Sequence, residues 1–129
     1  ARVVVPSGWS PADLVDHLRG AEQHWCERVV AGTDPENRGD PFAGDAGPGP
    51  RALSEVVPAY REQWARSDEV LARTDLEAPT HAGVPPNLVA EVRDLRAVLL
   101  HLIEETARHA GHLDVVRELI DGRVGLSPR

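Results

Sequence analysis

Lysine and methionine are absent from this chain, and cysteine occurs once. The lone Cys26 excludes a disulfide framework and any CxxC zinc or redox motif. Flanked by Trp25 and Glu27 in a helical pattern, it is expected to be an inert packing thiol. Aromatic residues are few, and Trp9, Trp25 and Trp64 are expected to be core anchors rather than a ligand cage. No apolar run approaches the length of a membrane span, and the opening Ala1-Arg2-Val3-Val4-Val5-Pro6 is too short for a signal segment. A soluble, cytoplasmic protein is the expectation. Positive charge is in deficit: the net charge is −7, which argues against a nucleic-acid or anionic-membrane partner. Because even an initiator methionine is missing, the true N-terminus is expected to lie upstream of Ala1.

What is present fits one domain. A chain of 129 residues can bury a single core, so residues 1–129 read as one unit. Three helices are legible. The first has Ser10 as N-cap, Pro11 at the first helical position and Asp13 as a capping-box acid. Leu14, Leu18, Ala21, Trp25 and Val29 then recur at helical spacing until Gly32. Residues 33–50, broken by four prolines, form a long loop that can frame or cover a site. The second helix is predicted from about Ser54 to Arg73, with a seam of Val57, Tyr60, Trp64, Ser67 and Leu71 and with Pro58 in its first turn. After an irregular link at 74–92, the third runs from an Asp94 cap to Asp121, with Gly122 as its stop. Its stripe is Leu95, Val98, Leu102, Leu113, Val116 and Ile120. Three such helices with two long connections imply a bundle that a fourth helix, supplied from upstream, would close. Without it, an apolar face is left for that helix or for a homodimer to cover.

The third helix carries the chemistry. Glu105, His109 and His112 fall within roughly 60° of one another on it. Glu105 and His109 are one turn apart, the spacing from which two side chains reach one ion. Glu105 and His112 are two turns apart, roughly 10 Å along the axis, so they do not share one. A third ligand must come from another segment, and His17 is the best candidate. Two readings stay open at this point. His109, close to the centre of its stripe, needs a polar partner; a metal would supply one, and so would a plain Glu–His hydrogen bond. Among the other polar residues, Glu22 is expected to pair with an arginine on a facing helix, and His24 to face solvent or the loop. His81 carries no readable role, and His101 lies far from the stripe. The Glu104, Arg108, Asp114 and Arg117 charges read as a solvated face. Ferritin-like di-iron chemistry is excluded, because it needs Glu-x-x-His on each of two helices.

Two stretches carry a family resemblance. Val4-Val5-Pro6-Ser7-Gly8-Trp9-Ser10, with Leu14-Val15-Asp16-His17-Leu18, Glu22 and Trp25, resembles the second helix of the DinB-like superfamily. Leu95-Arg96 and Leu99 through His112 resemble its last helix, and the DUF664 branch of small, mostly actinobacterial proteins is the nearest match. The Arg-only composition fits a mycothiol-making actinobacterium. The resemblance implies an all-α four-helix bundle, of which the first helix is missing from this sequence, and one divalent ion held by three side chains from two helices. In the mycothiol-dependent maleylpyruvate isomerase branch the ligands are His, Glu and His, which map onto His17, Glu105 and His109. It further implies a metal-dependent thiol transferase or isomerase. The ion would most simply be Zn²⁺, with Ni²⁺ or Fe²⁺ as alternatives. A low-molecular-weight thiol such as mycothiol would be the co-substrate and a small electrophile its partner. His112 would then orient a ligand or shuttle a proton as a catalytic residue. A non-catalytic metal- or ligand-binding stress or regulatory bundle is the alternative.

Overall fold

The computed structural model describes residues 9–33 and 51–124. The opening Val3-Val4-Val5-Pro6, the upstream helix expected before it and the loop at 34–50 lie outside the described residues. Helix α1 (Pro11–Gln23) runs directly into a π-helical segment (His24–Val30); α2 spans Leu53–Ala72 and α3 spans Leu95–Asp121. No strand occurs among the described residues, and the chain is an all-α bundle.

Helix α1 begins as its sequence dictates. Ser10 Oγ accepts from the Asp13 amide at 3.2 Å, and Asp13 Oδ2 accepts from the Ser10 amide at 2.8 Å. This reciprocal box, with Pro11 inside the first turn, satisfies donors that have no intrahelical partner. Leu14, Leu18, Ala21, Trp25 and Val29 are all buried, as their spacing predicts. Burying such a side chain contributes about 1.5–3 kcal/mol. Helix α1 with its extension is the central element: it packs against both α2 and α3, and Val70 of α2 shares one buried cluster with Trp25, Val29, Leu95 and Val98. Helix α3 runs antiparallel to α1, since His17 meets Glu105 and His109 while Trp25 meets His101 eight positions earlier.

The π-helical segment was not legible as such. The Ala31 amide reaches back to the Cys26 carbonyl at 3.0 Å, one residue farther than in an α-helix. The wider turn buries the adjacent pairs Trp25–Cys26 and Val29–Val30, where an α-helical stripe would bury one of each. It also presents the Val29 carbonyl to the His81 amide (2.7 Å), which ties the link before α3 onto this segment. Gly32 ends the run at φ +66°, and a Cβ there would stand 3.0 Å from the His81 ring, so glycine is required twice over.

Three further expectations need correction. The buried seam of α2 is Val56, Gln63, Ser67 and Val70, so the helix is rotated from the predicted seam. Trp64 is therefore no core anchor: it is 46% exposed and packs beside Tyr60, while the amide of Gln63 is buried in its place. Gln63 Nε2 finds Glu27 and Ser67, and Arg66 donates to Gln63 Oε1, which is why α1 tolerates a polar neighbour there. Pro58 lies in the second turn of α2, because the helix starts at Leu53; it forgoes a bond to the Ser54 carbonyl. Ile120 is exposed rather than buried. At 27 residues α3 is about 40 Å long against about 30 Å for α1 with its extension, so its last turn overhangs. Gly122 stops α3 in the left-handed conformation (φ +69°), and Asp94 caps its start by accepting from the Ala97 amide.

Candidate metal centre

His17 and the Glu105–His109 pair meet where α1 crosses the middle of α3. On α1, His17 lies beside the buried Leu14, Leu18 and Ala21, so burial of that stripe turns its ring toward α3. On α3, His109 continues the stripe of Val98 and Leu102 and precedes Val116 by two turns; it is buried. Glu105, one turn before it, is nearly as well covered. Both imidazoles direct Nε2 at one carboxylate oxygen: Glu105 Oε1 is 3.3 Å from His17 and 3.0 Å from His109. The three candidate ligand atoms lie within 4.8 Å of one another. Sequence reasoning brought these three together, and the structure does so too.

The electrostatics favour the ligating forms of Glu105 and His109. Burial pushes the Glu105 carboxyl up, but hydrogen bonds from His17, Arg108 and His109 outweigh it, and its pKa is lowered. Burial lowers the pKa of His109, the Glu105 carboxylate opposes this, and the nearby His17 and Arg108 reinforce it; the net direction is down. An ionised carboxylate beside a neutral imidazole is the protonation state that a divalent ion requires. Arg108 Nη2 is 2.8 Å from both oxygens of Glu105, so the carboxylate is held from the solvent side as well.

The donor set fits an ion. A tetrahedron with bonds of about 2.05 Å has edges of about 3.3 Å. The two His–Glu separations of 3.0 and 3.3 Å are close to that edge, while the group as a whole spans up to 4.8 Å, so the two imidazoles would draw together around an ion. Two imidazoles and a carboxylate suit Zn²⁺ and other borderline divalent ions, and three protein ligands leave a coordination position open. Within this group, Nδ1 of His109 is buried and has no hydrogen-bond partner among the described residues.

The other sequence-selected residues go elsewhere. His112 is half-buried on α3 and is not part of the three-residue group. His101 packs on Trp25, with ring centroids 4.6 Å apart, and His24 Nε2 is 2.9 Å from the Gly83 carbonyl in the link before α3. Cys26 is buried, and burial pushes its thiol up to about 11 against the lowering effect of a hydrogen bond with Ser67. It is the protonated packing thiol expected. Glu22 departs from expectation: its charged neighbour is Asp68, not an arginine, because the acidic side of α2 faces it. Two contributors escaped the sequence reading. Arg108 reaches Glu105 from the solvated face, and its i, i+3 spacing was the available signal. Trp9, placed in the core by expectation, instead packs on both site histidines. Its position just before the Ser10 cap, with Leu14 four residues beyond that cap, is the pattern of a hydrophobic staple and was its signal.

A family model described as mycothiol-S-transferase matches residues 1–122, almost the whole chain. No curated protein and no solved structure matches it. No described helix is long and apolar enough to cross a membrane.

Proposed function

Since the chain belongs to the mycothiol S-transferase family, a family of DinB-like bundles, we propose that it is a metal-dependent thiol S-transferase or isomerase, with His17, Glu105 and His109 as the ligands of one divalent ion. The single observation that carries this reading is the convergence of both Nε2 atoms on Glu105 Oε1. Zn²⁺ is the ion the donor set suits most simply, with Ni²⁺ or Fe²⁺ as alternatives. When bound, such an ion supplies the Lewis acidity that keeps a thiol ionised at neutral pH, where a free thiol with a pKa of about 8.5 is mostly protonated.

The protein's own residues have defined tasks in this scheme. His17 and His109 donate neutral nitrogen, and Glu105 brings the negative charge that partly offsets the ion's. Arg108 keeps Glu105 from swinging into solvent. The co-substrate is a low-molecular-weight thiol of the mycothiol type and the partner a small electrophile. In the transfer reaction a C–S bond forms, the leaving group departs with its electron pair, and the thiol proton passes to solvent. We assign that proton transfer, or the orientation of the bound ligand, to His112, a role that rests on its i+3 spacing from His109. A homodimer is part of the same reading. The exposed Leu100 and Ile103, one turn apart on α3, are the apolar surface that such a contact would use.

Consumption of a thiol with a generic electrophile, compared between Zn²⁺-loaded and chelated protein, tests the assignment. A rate that requires metal is expected. It should be abolished by Glu105→Gln and retained by Glu104→Gln, because Glu104 is rotated about 100° from the ligand stripe. No metal-dependent rate with mycothiol or any other thiol would leave the non-catalytic binding bundle as the better reading.

A further inference from the structure

Metal-ligating histidines are ordinarily held in plane by their second nitrogen, which donates to a carboxylate or a carbonyl. His109 lacks that support among the described residues, where its buried Nδ1 has no hydrogen-bond partner. What the ring has instead is Trp9. The indole lies parallel to the His109 ring, with an interplanar angle of 5° and centroids 5.8 Å apart. The same indole meets His17 nearly edge-on, at 4.8 Å and 69°. His17 and His109 complete the triangle at 4.7 Å and 65°. Three rings closed on one another leave each little freedom to turn about its terminal torsion, which is otherwise broad for histidine.

Resting on the metal-centre reading above, we infer that Trp9 is a positioning residue. Its ring, rather than a hydrogen bond to Nδ1, sets the plane of His109 and braces His17, so that both Nε2 atoms face the point beside Glu105 Oε1. The chain of cause starts in the sequence. Trp9 directly precedes Ser10, whose reciprocal bonds with Asp13 fix the direction in which the chain enters α1. The indole is thereby placed against the site without belonging to either helix that supplies the ligands. Aromatic stacking is strong enough to select a ring orientation without dominating the fold. Phenylalanine retains a flat face at this position, and alanine retains none.

The test uses the full chain with Trp9→Phe and Trp9→Ala. Zn²⁺ affinity, read by competition with a chromophoric chelator, should fall 10- to 100-fold in Trp9→Ala, the range seen when the outer support of a ligand is lost. It should stay within about threefold in Trp9→Phe. NMR of histidine-labelled metal-free protein gives a second readout: one ordered His109 ring in the wild type and in Trp9→Phe, and rotamer averaging in Trp9→Ala. Circular dichroism establishes that each variant is folded, and Trp9→Phe carries the ring-order comparison should Trp9→Ala not fold. An equally ordered His109 ring in Trp9→Ala, or one averaged in both variants, would overturn the inference, as would unchanged Zn²⁺ affinity in folded Trp9→Ala. If the wild type binds no ion, the metal-centre reading fails, and the ring-order readout alone still decides whether Trp9 fixes the imidazole.

Discussion

Replacing Glu22 with glutamine should stabilise the protein above neutral pH. Glu22 projects from α1 toward α2, and its Oε2 is buried without a hydrogen-bond partner. Burial, with Asp68 across the interface adding like charge, pushes its carboxyl up from about 4.5 to about 7. At about 1.36 kcal/mol per pH unit, that displacement corresponds to about 3 kcal/mol. The group is only half-buried, so solvent screening reduces the figure to about 1–2 kcal/mol. The direction follows from linkage: the folded protein holds this proton more tightly than the unfolded chain does. The contribution is therefore fully present below about pH 4.5, declines as pH rises, and is lost above about pH 7. Glutamine keeps the neutral side chain at every pH. Urea unfolding of metal-free wild type and Glu22→Gln at pH 4.5 and pH 8 measures the effect. Near-equal stabilities at pH 4.5 and a gain of about 1–2 kcal/mol for the variant at pH 8 are expected. Equal stabilities at pH 8, or the same difference at both pH values, would refute the argument.

Two other predictions concern the frame around the site. Gly32→Ala should cost about 1–3 kcal/mol, because φ +66° disfavours a side chain and the His81 ring stands 3.0 Å from the new Cβ; a thermal melt that moves by less than about 2 °C would contradict it. Cys26 should resist alkylation in the folded protein at pH 8, since its thiol is buried and pushed up to about 11. Labelling should appear only on denaturation, and Cys26→Ser should bind Zn²⁺ as the wild type does; fast labelling of native protein would show the thiol to be accessible.

Much of this architecture is written in local signals. Ser10, Asp13, Gly32, Asp94 and Gly122 mark helix ends through backbone hydrogen bonds and positive φ, effects that act within a few residues and so survive any tertiary context. The Glu105–His109 pair was legible for the same reason, because one turn of helix fixes its geometry. What was not legible depended on neighbours distant in sequence. The periodicity of α2 allowed two adjacent seams, and packing against α1 chose the one that buries Gln63 and leaves Trp64 in solvent. The π-helical turn places the Val29 carbonyl against the His81 amide, a partner far along the chain that no local pattern reveals. Glu22 looked like half of an ion pair, but only the placement of α2 shows that Asp68 faces it. Trp9 lies outside any helical repeat, so periodicity could not aim it at His17 and His109.

The central claim is one divalent ion held by His17, Glu105 and His109. Metal content per chain after Zn²⁺ loading and gel filtration tests this most directly, on wild type and on single variants. One ion per chain is predicted for the wild type and for His101→Ala, whose ring packs on Trp25 instead of the site. Near-complete loss is predicted for His17→Ala, Glu105→Gln and His109→Ala. Full occupancy in His109→Ala, or no ion in the wild type, would contradict the account and leave the cluster as a hydrogen-bonded Glu–His network.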